Sequence, residues 1–130
     1  MASGAGSAGA FHAQEEQEEQ EEQEEQEERA GERLDVAVSV LALLADRTRL
    51  ALLQRLGEGE ADVTTLTEAC GAARTSVSQH LAKLRLAGLV AARKDGRRVV
   101  YSLRHGHLRR LVDEALSVAD HQIRALPPHD

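Results

Sequence analysis

The chain has 130 residues, a formal charge of −6, one cysteine and two prolines. That length bounds it to one domain with a tail, and a single thiol, Cys70, excludes an internal disulfide and any cysteine-rich metal cluster. The charge is split: residues 1–28 hold ten glutamates and no lysine or arginine, leaving all 16 basic residues against 12 acidic ones in the rest. The tail therefore stands at −10 and the body at +4, and the mildly basic body is the part whose charge suits nucleic acid. No apolar run reaches the roughly 18 residues of a membrane-spanning helix, and no basic n-region precedes an apolar h-region. A soluble, cytoplasmic protein without a membrane partner is expected.

Residues 1–13 are rich in Gly, Ala and Ser, and Gln14 to Glu28 is a strict Glu-Glu-Gln repeat. Glu and Gln form helices well, but a three-residue period without an apolar member offers no face to bury, and the glutamates repel one another. Residues 1–31 are read as a disordered acidic tail, which could compete with DNA for the basic face of the body.

The folded part, 32–126, begins with Leu34, Val36, Ala37, Val38, Val40, Leu41, Leu43 and Leu44, a helix apolar nearly all round. Such a helix in a small protein needs covering on two sides, so a subunit contact is expected. Asp46 is a good N-cap for a second helix whose Leu50, Leu53 and Leu56 face inward and which Gly57 stops. Thr64 can cap a third, short helix containing Leu66, Ala69 and Cys70, closed by Gly71. Cys70 reads as a small buried hydrophobe, since no second thiol exists to resolve an oxidised one.

The fourth helix follows the Gly71-Ala72-Ala73 turn. At 100° per residue, Val77, Leu81 and Leu84 fall on its core side and Thr75, Ser76, Gln79 and Lys83 opposite, with Gly88 as the C′ residue. Hydroxyls, an amide and a cation without any carboxylate suit base edges and phosphates. Ala73 is a poor capping residue. Two helices about a tight glycine-containing turn, the second polar outside, make a helix-turn-helix.

Leu89 to Leu103 reads as a β-hairpin. Val99, Tyr101 and Leu103 alternate, and Asp95-Gly96 signals a type I′ turn. Arg93, Lys94, Arg97 and Arg98 flank that turn and would track phosphates or probe a minor groove, though charged edge strands also protect against aggregation. Tyr101 is most simply core. The last helix, from about Gly106 to Ala125, carries a broad apolar stripe from Leu108 to Leu126 that should pair with another subunit. Residues 127–130 are expected to be flexible. The fold class is mainly α with a small β-hairpin wing.

This order of elements resembles the winged helix-turn-helix repressors of the ArsR/SmtB type. The residues carrying the resemblance are Leu44 to Leu50 (LADRTRL), Val77 to Leu81 (VSQHL), Leu84 to Val90 (LRLAGLV) and Asp95-Gly96-Arg97 with Tyr101-Ser102-Leu103. The resemblance covers about residues 33–125. It implies that the fourth helix lies in the major groove of double-stranded operator DNA, that the wing touches flanking backbone, and that the first and last helices form a two-fold homodimer. Repression until an inducer releases the protein is the implied activity, not enzyme chemistry. On that basis Thr75, Ser76, Ser78 and Gln79 would read bases, Arg74 and Lys83 would bind phosphates, and Arg93, Lys94, Arg97 and Arg98 the flank.

Many members of that family sense metals, with sites at the third helix or on the last. The stretch Glu60 to Thr64 has no cysteine, so the first site looks absent. On the last helix, His105-x-His107 matches a D-x-H pair with His in place of Asp, and the second pair falls on Val118 and His121, so one ligand is missing. By helical geometry His107, Glu114, Val118 and His121 share a strip, but His107 and His121 stand roughly 21 Å apart and cannot share an ion within one chain. Across an antiparallel two-fold pair they could, giving sites for nickel, cobalt or zinc with Asp120, Glu114 or His129 completing the shell. The alternatives are a regulator of this type without metal response, and a winged helix used to dock proteins. His80 is read as packed or hydrogen-bonded, and His12 lies in the tail.

Overall fold

The computed structural model describes residues 3–127, with side-chain exposure from Gly9 onward. The chain divides after Ser39 into two units. In the first, helix α1 (Ser3–Leu44) already runs through the Glu-Glu-Gln repeat, where the sequence suggests a disordered tail, and every described side chain up to Ser39 is exposed. Intrinsic preference accounts for the difference. Ala, Glu and Gln are strong helix formers, and Gln17 and Gln23 reach Glu21 and Glu27 one turn on, each at 3.4 Å. The absence of an apolar face therefore denies this segment packing without denying it helicity.

The second unit starts at Val40. It contains the end of α1, then α2 (Arg47–Gly57), β1 (Ala61–Asp62), α3 (Val63–Cys70), α4 (Arg74–Leu86), β2 (Val90–Asp95), β3 (Arg98–Leu103) and α5 (Gly106–Ala125). Leu44, Leu53, Leu66, Leu81, Leu84, Val90, Leu108 and Val112 meet in one core, and Leu52, which the periodicity did not single out, is fully buried with them. Leu50 is only half-buried. Among the described residues no polar side chain is buried, so apolar packing sets where the helices sit.

Helix ends follow local chemistry. Asp46 is the N-cap of α2, its carboxylate accepting the Arg49 N–H at 2.9 Å. The helix includes Gly57 and is closed by Glu58, with the positive φ falling on Gly59 instead. The cap of α3 is Asp62 and not Thr64: its carboxylate accepts the Thr65 N–H at 2.9 Å. Gly71 takes the left-handed conformation that turns the chain into α4, and Ala73 makes no side-chain cap. At the far end of α4, Leu89 N–H bonds the Leu84 carbonyl and Gly88 N–H that of Arg85, a Schellman motif about Gly88.

The sheet is three-stranded, antiparallel, in the order β1-β3-β2. Asp95 pairs with Arg98, so the two loop residues are Gly96 and Arg97. Only Gly96 has positive φ, the pattern of a type II′ turn; the expected type I′ turn requires it at both positions. Within β3 the buried residue is Val100, and Val99, Tyr101 and Leu103 are half-buried.

Both capping aspartates are held below the ordinary carboxylate value of 3.8, chiefly by the backbone N–H bonds of Arg49 and Thr65. A depressed native value means the unfolded state takes up protons first as pH falls. Their stabilisation is thus fully present above about pH 4 and lost below it. Asp46→Asn keeps a capping oxygen without the charge, so the stability difference between wild type and variant should shrink on acidification from pH 5 to 2.5. Urea denaturation across that range checks this, and a constant difference refutes it.

Candidate nucleic-acid interface and histidine cluster

Helix α4 is anchored by Val77, Leu81 and Leu84, all fully buried, which fixes its rotation. Thr75, Ser78, Gln79 and Lys83 consequently face solvent, as does Arg74, while Ser76 is half-buried at the edge of the face. Two residues outside the sequence-based site set belong to the same outward line: Ala82, and Leu86, which is 92% exposed. Seven residues bring a helix back to within about 20° of its start, so Leu86 stands about two turns of helix beyond Gln79 on nearly the same meridian.

A polar junction holds α4 from behind. Arg49 Nε donates to the Leu43 carbonyl at the end of α1 (2.6 Å), and its Nη1 lies 3.1 Å from His80 Nδ1. An arginine can only donate, so Nδ1 accepts. Asp46 stands 3.9 Å from the same imidazole. His80 is thus hydrogen-bonded into the scaffold, in line with the sequence reading, and ties α4 to the start of α2.

The hairpin's cations are not equivalent. Arg93 is paired to Glu60 at 2.7 Å, and Arg98 lies 3.7 Å from both Asp62 and Asp95. Among the described residues Lys94 and Arg97 have no such partner, and the Arg74 guanidinium donates to the Thr64 hydroxyl at 3.2 Å. Exposed pairs of this kind contribute little energy and exchange readily for phosphate. Asp95 is a hairpin neighbour, but Glu60 and Asp62 come from the β1 segment, whose proximity is invisible without the β1–β3 pairing.

The histidines gather only in part. His105 is the residue before α5, and its ring lies 5.8 Å from that of His107, centroid to centroid. Arg110 donates to His107 Nδ1 at 2.6 Å, which leaves Nε2 open. His121 is exposed on the same helix. Among the described residues no three His, Cys, Asp or Glu side chains converge as a metal group would require. His129 lies outside the described residues. Cys70 packs half-buried against the core, and burial pushes its thiol up, away from the reactive thiolate. No helix among the described residues is long and apolar enough to cross a membrane.

A helix-turn-helix with an exposed polar second helix, followed by a basic two-stranded wing, defines a winged helix-turn-helix protein. Known proteins agree. Residues 44–93 match the profile of a helix-turn-helix domain. The HTH-type transcriptional regulator KmtR of Mycobacterium tuberculosis is 42% identical over 98 residues, covering 75% of each chain. The HTH-type transcriptional repressor SmtB of the same organism is 38% identical over 88 residues, 68% of this chain and 65% of that protein. Among solved structures, the homodimeric winged helix-turn-helix DNA-binding domain of a possible ArsR-family transcriptional regulator from Mycobacterium bovis superposes with a TM-score of 0.66. It shows 32% identity and covers 78% of this chain and 94% of that one. The chain belongs to the ArsR/SmtB family of HTH-type transcriptional regulators and is not an enzyme.

Proposed function

We propose that the protein is a homodimeric, sequence-specific repressor that holds double-stranded operator DNA through α4 and the wing, and that a divalent metal (nickel, cobalt or zinc) releases it. The observation carrying this reading is the exposed face of α4, polar and without a carboxylate, beside a basic hairpin. Thr75, Ser78 and Gln79 read base edges, with Ser76 at the margin. Arg74 and Lys83 bind phosphates, and Arg93, Lys94, Arg97 and Arg98 bind the flanking strand, two of them by trading a surface ion pair for a phosphate. The same polar, basic face argues against a protein-docking module.

Gln79→Ala is expected to cost roughly 1–3 kcal/mol on the preferred site and much less on random DNA, because it removes a bidentate base contact. Arg97→Ala should weaken binding to both and reduce the salt slope by about one. Fluorescence anisotropy on a selected and a scrambled duplex separates the two; equal losses on both duplexes for Gln79→Ala would overturn its assignment as a reader.

For the metal, His105 and His107 of one protomer with the partner's His121 would form the donor set. By holding an ion these residues would tie the two α5 helices together. The reading without metal response has its own support: Val118 is exposed at the position where a further donor is expected, and among the described residues of one chain two imidazoles come together and no third donor joins them. Calorimetric titration of nickel, cobalt and zinc into free and DNA-bound protein decides. An inducer must bind the free protein more tightly, by the factor by which it weakens DNA binding. Equal affinities exclude metal release.

A further inference from the structure

Between α4 and the hairpin runs a notch of about 420 Å³ lined by Ser78, Ala82, Arg85, Leu86 and Tyr101. Its chemistry differs from that of the hairpin tip. Three of the residues lining it carry donor groups, and among the described residues neither the Ser78 hydroxyl, the Arg85 guanidinium nor the Tyr101 hydroxyl is hydrogen-bonded or ion-paired within the chain. No carboxylate lines it, whereas Arg93 and Arg98 further along the hairpin both have one at hand. The remaining lining is aliphatic, and Leu86 stands almost wholly in water.

Duplex geometry says what must enter. A helix in a major groove and a wing over the adjacent minor groove stand on opposite sides of the sugar–phosphate strand that separates those grooves. That strand has to pass between the two elements, and the notch is a space between them that carries a free cation and hydroxyls without a carboxylate. We infer that the notch is a backbone clamp: Arg85 and Tyr101 donate to neighbouring phosphates of one strand, while Ala82 and Leu86 lie against its deoxyribose and Ser78, at the base-reading face, borders it. The pairing of a cation and a neutral donor with an apolar floor matches a strand that presents phosphate and sugar alternately. Neither Arg85 nor Tyr101 reads a base, so both set position and affinity and leave sequence preference alone.

The inference rests on the DNA-binding reading above, and the test separates the two. Full-length wild type, Arg85→Ala and Tyr101→Phe are titrated against a random-sequence 30-base-pair duplex and a duplex selected by the wild type, from 50 to 200 mM salt. Arg85→Ala should lower the slope of log K against log salt by about one. Tyr101→Phe, which keeps the ring, should weaken both duplexes about tenfold at fixed salt, the effect of one hydrogen bond to a charged group, with no change of slope. Unchanged melting temperatures show that neither effect is structural. Wild type that binds with steep salt dependence while both variants keep its affinity and slope overturns the clamp and leaves the DNA-binding reading standing. Wild type without salt-dependent duplex binding overturns that reading, and the clamp falls with it.

Discussion

Ile123→Glu is expected to leave each protomer folded and to lower affinity for a two-half-site operator at least a hundredfold. Ile123 is 67% exposed, so in the isolated chain a carboxylate there meets only water. Leu111, Val118 and Leu126 on or just after α5 are also exposed, as is Leu41 near the end of α1. Apolar surface of this extent on the terminal helices is stabilised by covering it, at about 25 cal/mol per Å². In the proposed homodimer a glutamate at that seam would be a buried, unpaired charge, costly enough to separate the protomers. Each protomer would then meet one half-site alone, losing the roughly 10²–10⁴-fold gain that linkage provides. Sedimentation velocity at micromolar concentration together with binding to one-site and two-site duplexes checks both steps. A variant that stays dimeric and binds as wild type would remove α5 from the interface.

Leu81→Ala should cost about 2–5 kcal/mol of stability, a large share of the 5–15 kcal/mol typical of a domain. Leu81 is fully buried where α4 meets the core beside Val77 and Leu84, and its removal leaves a cavity under the reading helix. The control is five residues on: Leu86→Ala removes an equal volume from the exposed side of the same helix and should change stability by no more than about 0.5 kcal/mol. Urea denaturation at one fixed protomer concentration, so that association does not differ between samples, gives both values. Similar losses at the two positions would mean that the helix is rotated from the orientation described, and the assignment of Gln79 and Ser78 to the outward face would go with it.

Much of the scaffold was legible because it depends on interactions within a few residues. The 100° spacing of Val77, Leu81 and Leu84 picked out the buried side of α4, the Asp46 carboxylate capped α2, and α5 spans Gly106–Ala125 as its apolar stripe suggested. Where two local tendencies oppose each other, the stretch alone does not decide which prevails. In the acidic repeat, helix preference outweighed the lack of a packing face. In the hairpin, Asp95-Gly96 was a turn signal, but strand register placed the turn one residue later.

Other features depend on residues brought together from far along the chain. Strand β1 is two residues long and exists because Ala61 and Asp62 pair with Tyr101 and Val100. That pairing sets Asp62, not Thr64, at the start of α3 and puts carboxylates beside Arg93 and Arg98. The Arg49–His80 bond joins positions 31 apart, and the notch needs α4 and β3 side by side. Periodicity, capping and turn chemistry are properties of a short stretch and can be read from it. Which donors remain unspent, and which strand of DNA they can reach, follows only after a core of leucines and valines has docked the helices and the sheet against each other.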